Sequence, residues 1–357
     1  MQLGIIGLPG SGKSTVFRAL TGGHTSGEHR GYREPDVGVV TVEDDRLDFL
    51  NQYHKPKKVT AVHVEYLDIE GLTGEREPGR ELGDTILSHM RPLDALVHCV
   101  RFFDSPRLGP PEPLKDLERL EEEMILSDLS IVEKRLDRIS SDMKRGKKEL
   151  AHEVPLLEKA RAVLEDGKPL RTAPEVAEWE KFRGFAFLSA KPELFLVNAG
   201  DNKPRQEIDA VVEEISQRVA DQPYVAADWL YADAEAEIAR LDPDDAWEFL
   251  SDLELSEGAK NRIIKKSFEL LKLIIFFTVG EKEVRAWPLS RGRTAFDAAG
   301  TVHTDMQRGF IRAEVVSFQD FKDAGSTAAA HKAGKVRLEG REYEVQDGDI
   351  ILFRFNV

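Results

Sequence analysis

Gly7-Leu8-Pro9-Gly10-Ser11-Gly12-Lys13-Ser14 sets glycines, a lysine and a hydroxyl at the spacing GxxxxGK[ST]. Glycines let a backbone curl until successive N–H groups converge on phosphate oxygens. The lysine then reaches the β- and γ-phosphates, and the hydroxyl beside it ligates Mg²⁺. The run follows apolar Leu3–Ile6 and precedes Thr15, Val16, Phe17 and Leu20, an amphipathic helix start. By chance such an octamer arises in about 1 of 100 chains of this length, and the strand–loop–helix context lowers that further. Gly7, Leu8, Pro9, Gly10, Ser11, Gly12, Lys13, Ser14 and Thr15 are therefore expected to hold a nucleoside triphosphate. Lys13 doubles as the catalytic cation and Ser14 as a metal ligand.

Asp68-Ile69-Glu70-Gly71 closes the strand-like run Ala61–Leu67. A DxxG in that place holds the metal through Asp68 and offers the Gly71 N–H to the γ-phosphate, which makes Gly71 a second catalytic group. Phe195-Leu196-Val197-Asn198-Ala199-Gly200-Asp201 puts Asn198 and Asp201 at another strand end, as the NKxD base-reading loop of guanine-binding NTPases does, but without its lysine. Asp201 could accept from guanine N1 and N2, whereas Asn198 alone would serve adenine equally, so ATP and GTP both stay open. Ala232 and Asp233 complete the expected nucleotide-binding set.

The elements that position these residues read as βα units. Strand-like runs at 2–7, 37–42, 61–67, 95–103 and 193–198 alternate with helical or loop stretches, which predicts an α/β P-loop domain around a mostly parallel sheet. Between Pro106 and about Gly184 strand character is lost. There Leu129, Val132, Leu136, Ile139 and Met143 keep a coiled-coil seam until Gly146, and Leu150, Val154, Leu157 and Leu164 resume an apolar stripe, predicting an inserted antiparallel helical hairpin. From about Leu273 strand signals alternate with glycine-rich turns. The expected domains are 1–105 with 185–272, the hairpin 106–184, and a small C-terminal domain 273–357.

Composition sets limits. The 357 residues are 41% hydrophobic and 32% charged, with no long apolar run, so neither export nor membrane spanning is indicated and a cytoplasmic location is expected. The lone Cys99 lies in an apolar stretch and reads as a core residue. A net charge of −15 argues against non-specific wrapping of nucleic acid. From Gly280 onward, however, 12 basic residues balance 12 acidic ones, so the tail is neutral on an acidic body.

With these motifs in place the chain resembles the Obg-like ATPases, also called the YchF family, in the Obg-HflX branch of translational NTPases. The likeness runs through Glu34-Pro35-Asp36-Val37-Gly38-Val39-Val40, Asp68-Ile69-Glu70-Gly71-Leu72, Ile131-Val132-Glu133-Lys134-Arg135-Leu136 and Glu235-Ala236-Glu237-Ile238. It continues in Lys282-Glu283-Val284-Arg285-Ala286-Trp287, His303-Thr304-Asp305, Arg308-Gly309-Phe310-Ile311-Arg312-Ala313 and Phe353-Arg354-Phe355-Asn356-Val357, covering essentially the whole chain. The resemblance implies a G domain, a coiled-coil hairpin and a C-terminal TGS domain of ubiquitin-like β-grasp fold, with ribosome binding as the family role. The chain also departs from the pattern. Arg30-Gly31-Tyr32-Arg33 stands where the family carries a switch threonine, Asp104–Pro113 lacks a histidine often found there, and Asp201 replaces a glutamate. Leu72, by contrast, is shared with the family, as an apolar replacement for the water-orienting glutamine of Ras-like enzymes.

The expected function is a ribosome-associated NTPase that binds and slowly hydrolyses ATP or GTP with Mg²⁺ as a translation-linked switch. The alternative is a nucleotide-sensing RNA- or ribosome-binding module with negligible turnover, suggested by the missing threonine, glutamine and histidine. A metabolic kinase would share the P-loop but not the tail. Docking is expected at the hairpin tip, where Lys144, Arg145, Lys147 and Lys148 flank Gly146, and through the TGS-like domain; no membrane and no sequence-specific DNA are expected.

Overall fold

Strands buried on both faces read as continuous apolar runs, and here such runs form the middle of a parallel sheet. The computed structural model describes residues 1–23, 35–69, 83–146, 150–177, 184–242, 245–246, 248 and 258–356. In chain order they form β1 (Gln2–Ile6), α1 (Lys13–Thr21), β2 (Asp36–Thr41), α2 (Asp45–His54), β3 (Lys58–Thr60), β4 (His63–Asp68), α3 (Asp84–Met90) and β5 (Ala95–Phe102). Next come α4 (Pro113–Lys144), α5 (Val154–Glu165), α6 (Pro174–Ala177), β6 (Glu193–Ala199), α7 (Arg205–Arg218), β7 (Val225–Leu230), α8 (Ala232–Ile238) and α9 (Ala259–Leu270). The chain ends in β8 (Leu273–Val279), β9 (Glu283–Ser290), α10 (Ala295–Val302), α11 (Thr304–Arg308), β10 (Phe310–Ser317), α12 (Phe318–Ala324), α13 (Thr327–Lys332), β11 (Arg337–Glu339) and β12 (Asp349–Phe355).

Two compact units result, one of Met1–Val40 with Val64–Leu270, the other of Thr41–His63 with Leu271–Val357. The first holds a sheet ordered β2-β4-β1-β5-β6-β7, with β4, β1, β5, β6 and β7 joined by parallel pairings. Every residue of β5 and β6 is buried. Strand β1 has β4 on one side and β5 on the other, and at such a reversal of strand order the carboxyl ends frame a ligand crevice. The α/β P-loop architecture expected from the sequence is thus present.

Helix α4 packs on α5 through Ile125, Val132 and Ile139 against Leu157, Ala160 and Leu164, with Leu129 and Leu136 partly buried beside them. Met143, last of the expected seam, is exposed, and Gly146 turns the chain at φ 84°. Buried charges tie this pair to the sheet. Asp128 of α4 accepts from the Leu188 and Ser189 N–H groups and the Ser189 hydroxyl. Fully buried Arg171 bridges Glu121 and Glu193, whose other oxygen lies 2.9 Å from His98 Nδ1. Burial pushes the Glu193 carboxyl up, but Arg171 and His98 outweigh it and hold the group below the usual carboxylate range.

The second unit is a mixed sheet ordered β11-β10-β12-β8-β9-β3. One face packs Phe276, Ala313, Val315, Ile351 and Phe353 against Ala295, Ala298 and Ala299 of α10, whose start carries a Thr294–Asp297 capping box. Thr41–His63, which the sequence reading kept with the P-loop domain, groups here with the C-terminal stretch. Strand β3 extends the sheet in parallel with β9, and Thr60 donates to Glu283. Arg46 of α2 reaches Asp347 at 2.6 Å and lies over Phe277, Phe49 meets Phe318 edge-on, and His54 stacks on Phe321. Hydrogen bonds to Asp44 and Asp347 raise the Arg46 pKa beyond its ordinary value despite partial burial.

Candidate nucleotide site

Strand β1 delivers the glycine-rich loop at the crevice, and neighbouring strands pin it there. Gly12 has φ +89°, and a Cβ on it would stand 2.2 Å from Asn198 Nδ2; one on Gly7 would stand 2.5 Å from the Cys99 carbonyl oxygen. Neither position accepts a side chain without displacing its neighbour. Ser11 N–H donates to Leu8 O at 3.1 Å, and the Val16 N–H to Gly12 O at 2.9 Å opens α1. The Ser11 carbonyl accepts from Asn198 Nδ2 at 3.0 Å and from Cys99 Sγ at 3.2 Å. Asn198 Oδ1 in turn accepts from the Ala232 N–H at 3.3 Å. One buried amide therefore links the end of β6, the P-loop and the start of α8.

Lys13 is buried and its Nζ donates to Leu8 O at 3.0 Å, which folds the ammonium over the loop. Leu8 is buried, Pro9, Ser14 and Thr15 are half-buried and Gly10 is exposed, so the loop presents its crest outward. Arg18 donates to the Ser14 carbonyl and the Thr15 hydroxyl, steadying the first turn of α1. Asp68, buried at the end of β4, pairs in register with Ile5 of β1, so its carboxylate and the Ser14 hydroxyl belong to the same end of the sheet. Both are hard oxygen donors, a set that fits Mg²⁺. Gly71, Leu72, the Arg30–Arg33 stretch and the tip residues Lys147 and Lys148 lie outside the described residues.

Asp201 and Asp233, the residues expected to face the base, are exposed beyond the ends of β6 and β7, adjacent strands in which Asn198 pairs with Leu230. The loop also holds Lys203, which sequence reasoning passed over. Its ammonium lies 3.1 Å from Asp104 and above the Phe102 ring. Tyr231 Oη donates to the Lys203 carbonyl at 3.4 Å. Lys203 follows Asp201 by two residues rather than standing inside the motif, so pattern matching to NKxD could not find it.

A second unforeseen feature is the loop after β5. Arg101, buried, donates to the carbonyls of Phe103, Gly109 and Pro110 at 2.9–3.0 Å and so closes the loop on itself. Leu108 at its crest is half exposed yet lies against the P-loop, where a Cβ on Gly10 would meet its Cδ1 at 2.5 Å. Residues Asp104–Pro113, which lack the family's histidine, thus present an aliphatic side chain to the phosphate loop.

Of the expected docking residues, Lys144 ends α4 and Arg145 caps it, both exposed. Arg308 pairs with Asp305, and Arg312 is exposed on β10. Among the described residues no helix is long and apolar enough to cross a membrane.

Comparison with known proteins agrees with this geometry. The family model described as 50S ribosome-binding GTPase matches residues 2–134, and the YchF-GTPase_C model, described as a protein of unknown function, matches 273–356. The chain is 38% identical to the ribosome-binding ATPase YchF of Bacillus subtilis over the full length of both, and 37% identical to Obg-like ATPase 1 of Oryza sativa subsp. japonica, covering 92% of that protein. The solved YchF GTPase of Schizosaccharomyces pombe superposes with a TM-score of 0.83 at 30% identity, covering 99% of this chain and 97% of that one. With a pinned P-loop, an aspartate at the end of the neighbouring strand and relatives alike from end to end, this chain belongs to the YchF family of Obg-like ATPases.

Proposed function

We propose that the chain is a ribosome-associated switch that binds ATP or GTP with Mg²⁺ and hydrolyses it slowly. The observation that carries this is the P-loop itself, whose Ser11 carbonyl is held by Asn198 and Cys99 and whose Leu8 carbonyl is held by Lys13, so that the loop runs in a fixed curl into the N-terminus of α1, where an anion is favoured. Lys13 would neutralise charge between the β- and γ-phosphates, and Gly71 would donate its N–H to the γ-phosphate. Ser14 and Asp68 would hold the metal, which when bound withdraws charge from the β- and γ-oxygens. Asp201, with Asn198, Ala232 and Asp233 around it, would contact the base.

Water must attack the γ-phosphorus as the β,γ-bridging oxygen leaves. Leu108 next to the loop can neither orient that water nor take its proton, so basal turnover is expected below the usual range of about 1–10³ s⁻¹. Ribosome association is supported by the names of the relatives and by the exposed cations at the hairpin tip. Leu108 also favours a second reading, a nucleotide sensor whose turnover is negligible. Titration of purified protein with ATP and GTP, followed by single-turnover hydrolysis with and without ribosomes, separates the two. Ribosome-stimulated phosphate release is the expected result; binding without release under either condition selects the sensor.

A further inference from the structure

The loop after β5 is fastened more tightly than a surface connection needs. In Ser105-Pro106-Arg107-Leu108 the Ser105 carbonyl accepts from the Leu108 N–H at 3.3 Å and from the Gly109 N–H at 2.8 Å, and Ser105 forms an antiparallel bridge with Gly109. Proline in the second place of such a turn presets its φ, and Gly109 supplies the left-handed residue, φ 74°, that closes it. Arg101 then ties the stem through three carbonyls. Leu108 seats the turn on the phosphate loop at Gly10. Consecutive Cα atoms are about 3.8 Å apart, so Arg107 stands one residue from that contact, with its long side chain exposed.

The other charges near this turn already have partners. Asp104 pairs with Lys203 at 3.1 Å and Glu112 with Lys115. Arg18 donates to the Ser14 carbonyl and the Thr15 hydroxyl, and Lys13 folds onto Leu8 O. Arg107 makes no hydrogen bond or ion pair with any described residue, although acidic residues outnumber basic ones by 65 to 50. A guanidinium left open in so acidic a chain, on a turn mounted against a phosphate loop, suits an anion that the chain itself does not supply. Hydrolysis creates one. Water adds to the γ-phosphorus, leaves its oxygen and one proton on the phosphate and gives the other proton to solvent; the bond to the bridging oxygen breaks, and the diphosphate departs with the electron pair. Negative charge therefore grows on the bridging oxygen beside the γ-oxygens, and a planar guanidinium donates to two such oxygens at once.

We propose that Arg107 is a catalytic residue of this site, a cation carried by the chain's own loop that meets the γ-phosphoryl group as it transfers. The proposal rests on the nucleotide site argued above and adds charge neutralisation to it; a guanidinium neither orients water nor takes its proton, so turnover stays slow. The test reads affinity rather than rate. Fluorescent ADP and GDP analogues are titrated into the full chain in Mg²⁺ buffer with and without aluminium fluoride, which takes the place of the transferring phosphoryl group. Wild type should bind at least one diphosphate about 10-fold or more tighter with the fluoride. Arg107→Ala, which breaks no bond in the fold, should lose that gain while its affinity for the diphosphate alone stays near wild type. Arg107→Lys should keep part of the gain, as a point charge without the planar fork, and added guanidinium ion should restore part of it to Arg107→Ala. Arg138→Ala, an equal charge change on the exposed face of α4, should behave as wild type. A gain undiminished in Arg107→Ala overturns the proposal, as does wild-type protein with no gain. Equal losses for the diphosphate and for its fluoride complex also overturn it and make the residue structural. Each of those results leaves the P-loop reading standing, whereas wild type that binds neither diphosphate rejects the nucleotide site and the role of Arg107 with it.

Discussion

Replacing Asn198 by alanine tests whether this side chain reads the base or holds the loop. The amide is buried and makes two hydrogen bonds, to the Ser11 carbonyl at 3.0 Å and from the Ala232 N–H at 3.3 Å. Each such bond contributes about 0.5–1.5 kcal/mol net, and a buried N–H left unpaired costs about 1–3 kcal/mol. Cys99 Sγ remains on the Ser11 carbonyl, so only the Ala232 N–H is orphaned outright. A loss of about 2 kcal/mol in the ordered loop follows, which is about 30-fold in affinity if nucleotide binding must restore that order. On the proposed reading the loop holds phosphates common to both nucleotides, so fluorescent ATP and GTP analogues titrated into wild type and Asn198→Ala should lose affinity by the same factor. A large loss for one nucleotide with little for the other would refute loop positioning and make Asn198 a base contact.

Lys13→Ala and Ser14→Ala should each cost several kcal/mol of triphosphate binding or turnover, measured by the same titration and by phosphate release; wild-type values in both would remove the P-loop from the chemistry. Asp201→Ala should weaken GTP more than ATP, because a carboxylate pairs with guanine N1 and N2 alone; equal losses by calorimetry would exclude Asp201 from base reading. Burial lowers the Lys191 ammonium to about 8 from 10.5, against the pull of Asp94 and Asp128. Between those two values the unfolded chain binds more protons, so this group adds stability as pH rises from 8 toward 10.5 and withdraws it as pH falls. Lys191→Met should erase a difference of at most about 3 kcal/mol between denaturation midpoints at pH 7.5 and 10, and an identical pH slope in both proteins would contradict that account. Glutamate at 144, 145, 147 and 148 should weaken ribosome co-sedimentation while sparing nucleotide affinity; unchanged pelleting would leave Lys144 and Arg145 as partners of the α4 dipole only.

The phosphate loop was legible because its chemistry is contiguous: eight residues after an apolar strand specify it without tertiary information. The central strands were legible too, since β5 and β6 are apolar throughout. Strand β7 was not. Its Val-Ala-Ala-Asp-Trp-Leu carries a charge in mid-run, and Asp228 is tolerated only because Arg262 and Lys266 of α9 come to 3.1 and 3.3 Å. A partner 34 residues downstream cannot be seen in a local window. Strands β3 and β11 are three residues each, too short for alternation to register. The second task of Asn198 depends on β6 lying two places from β1, and strand order is a tertiary fact. Arg101 and Leu108 escaped notice for a similar reason, since what matters is the carbonyls that one holds and the glycine that the other abuts.

The placement of Thr41–His63 with Leu271–Val357 also bears on how the chain is made. During synthesis helix α2 and strand β3 leave the ribosome about 200 residues before β9, Phe318 and Phe321 exist, an interval of about 10–40 s at ordinary elongation rates. Through that interval Leu47, Phe49, Leu50 and Tyr53 have no native surface to cover them, and β3 is an unpaired edge. The P-loop unit must form while this looped-out segment is still waiting for its partners. A nascent chain stalled near residue 270 should therefore be the most aggregation-prone stage in the life of this protein.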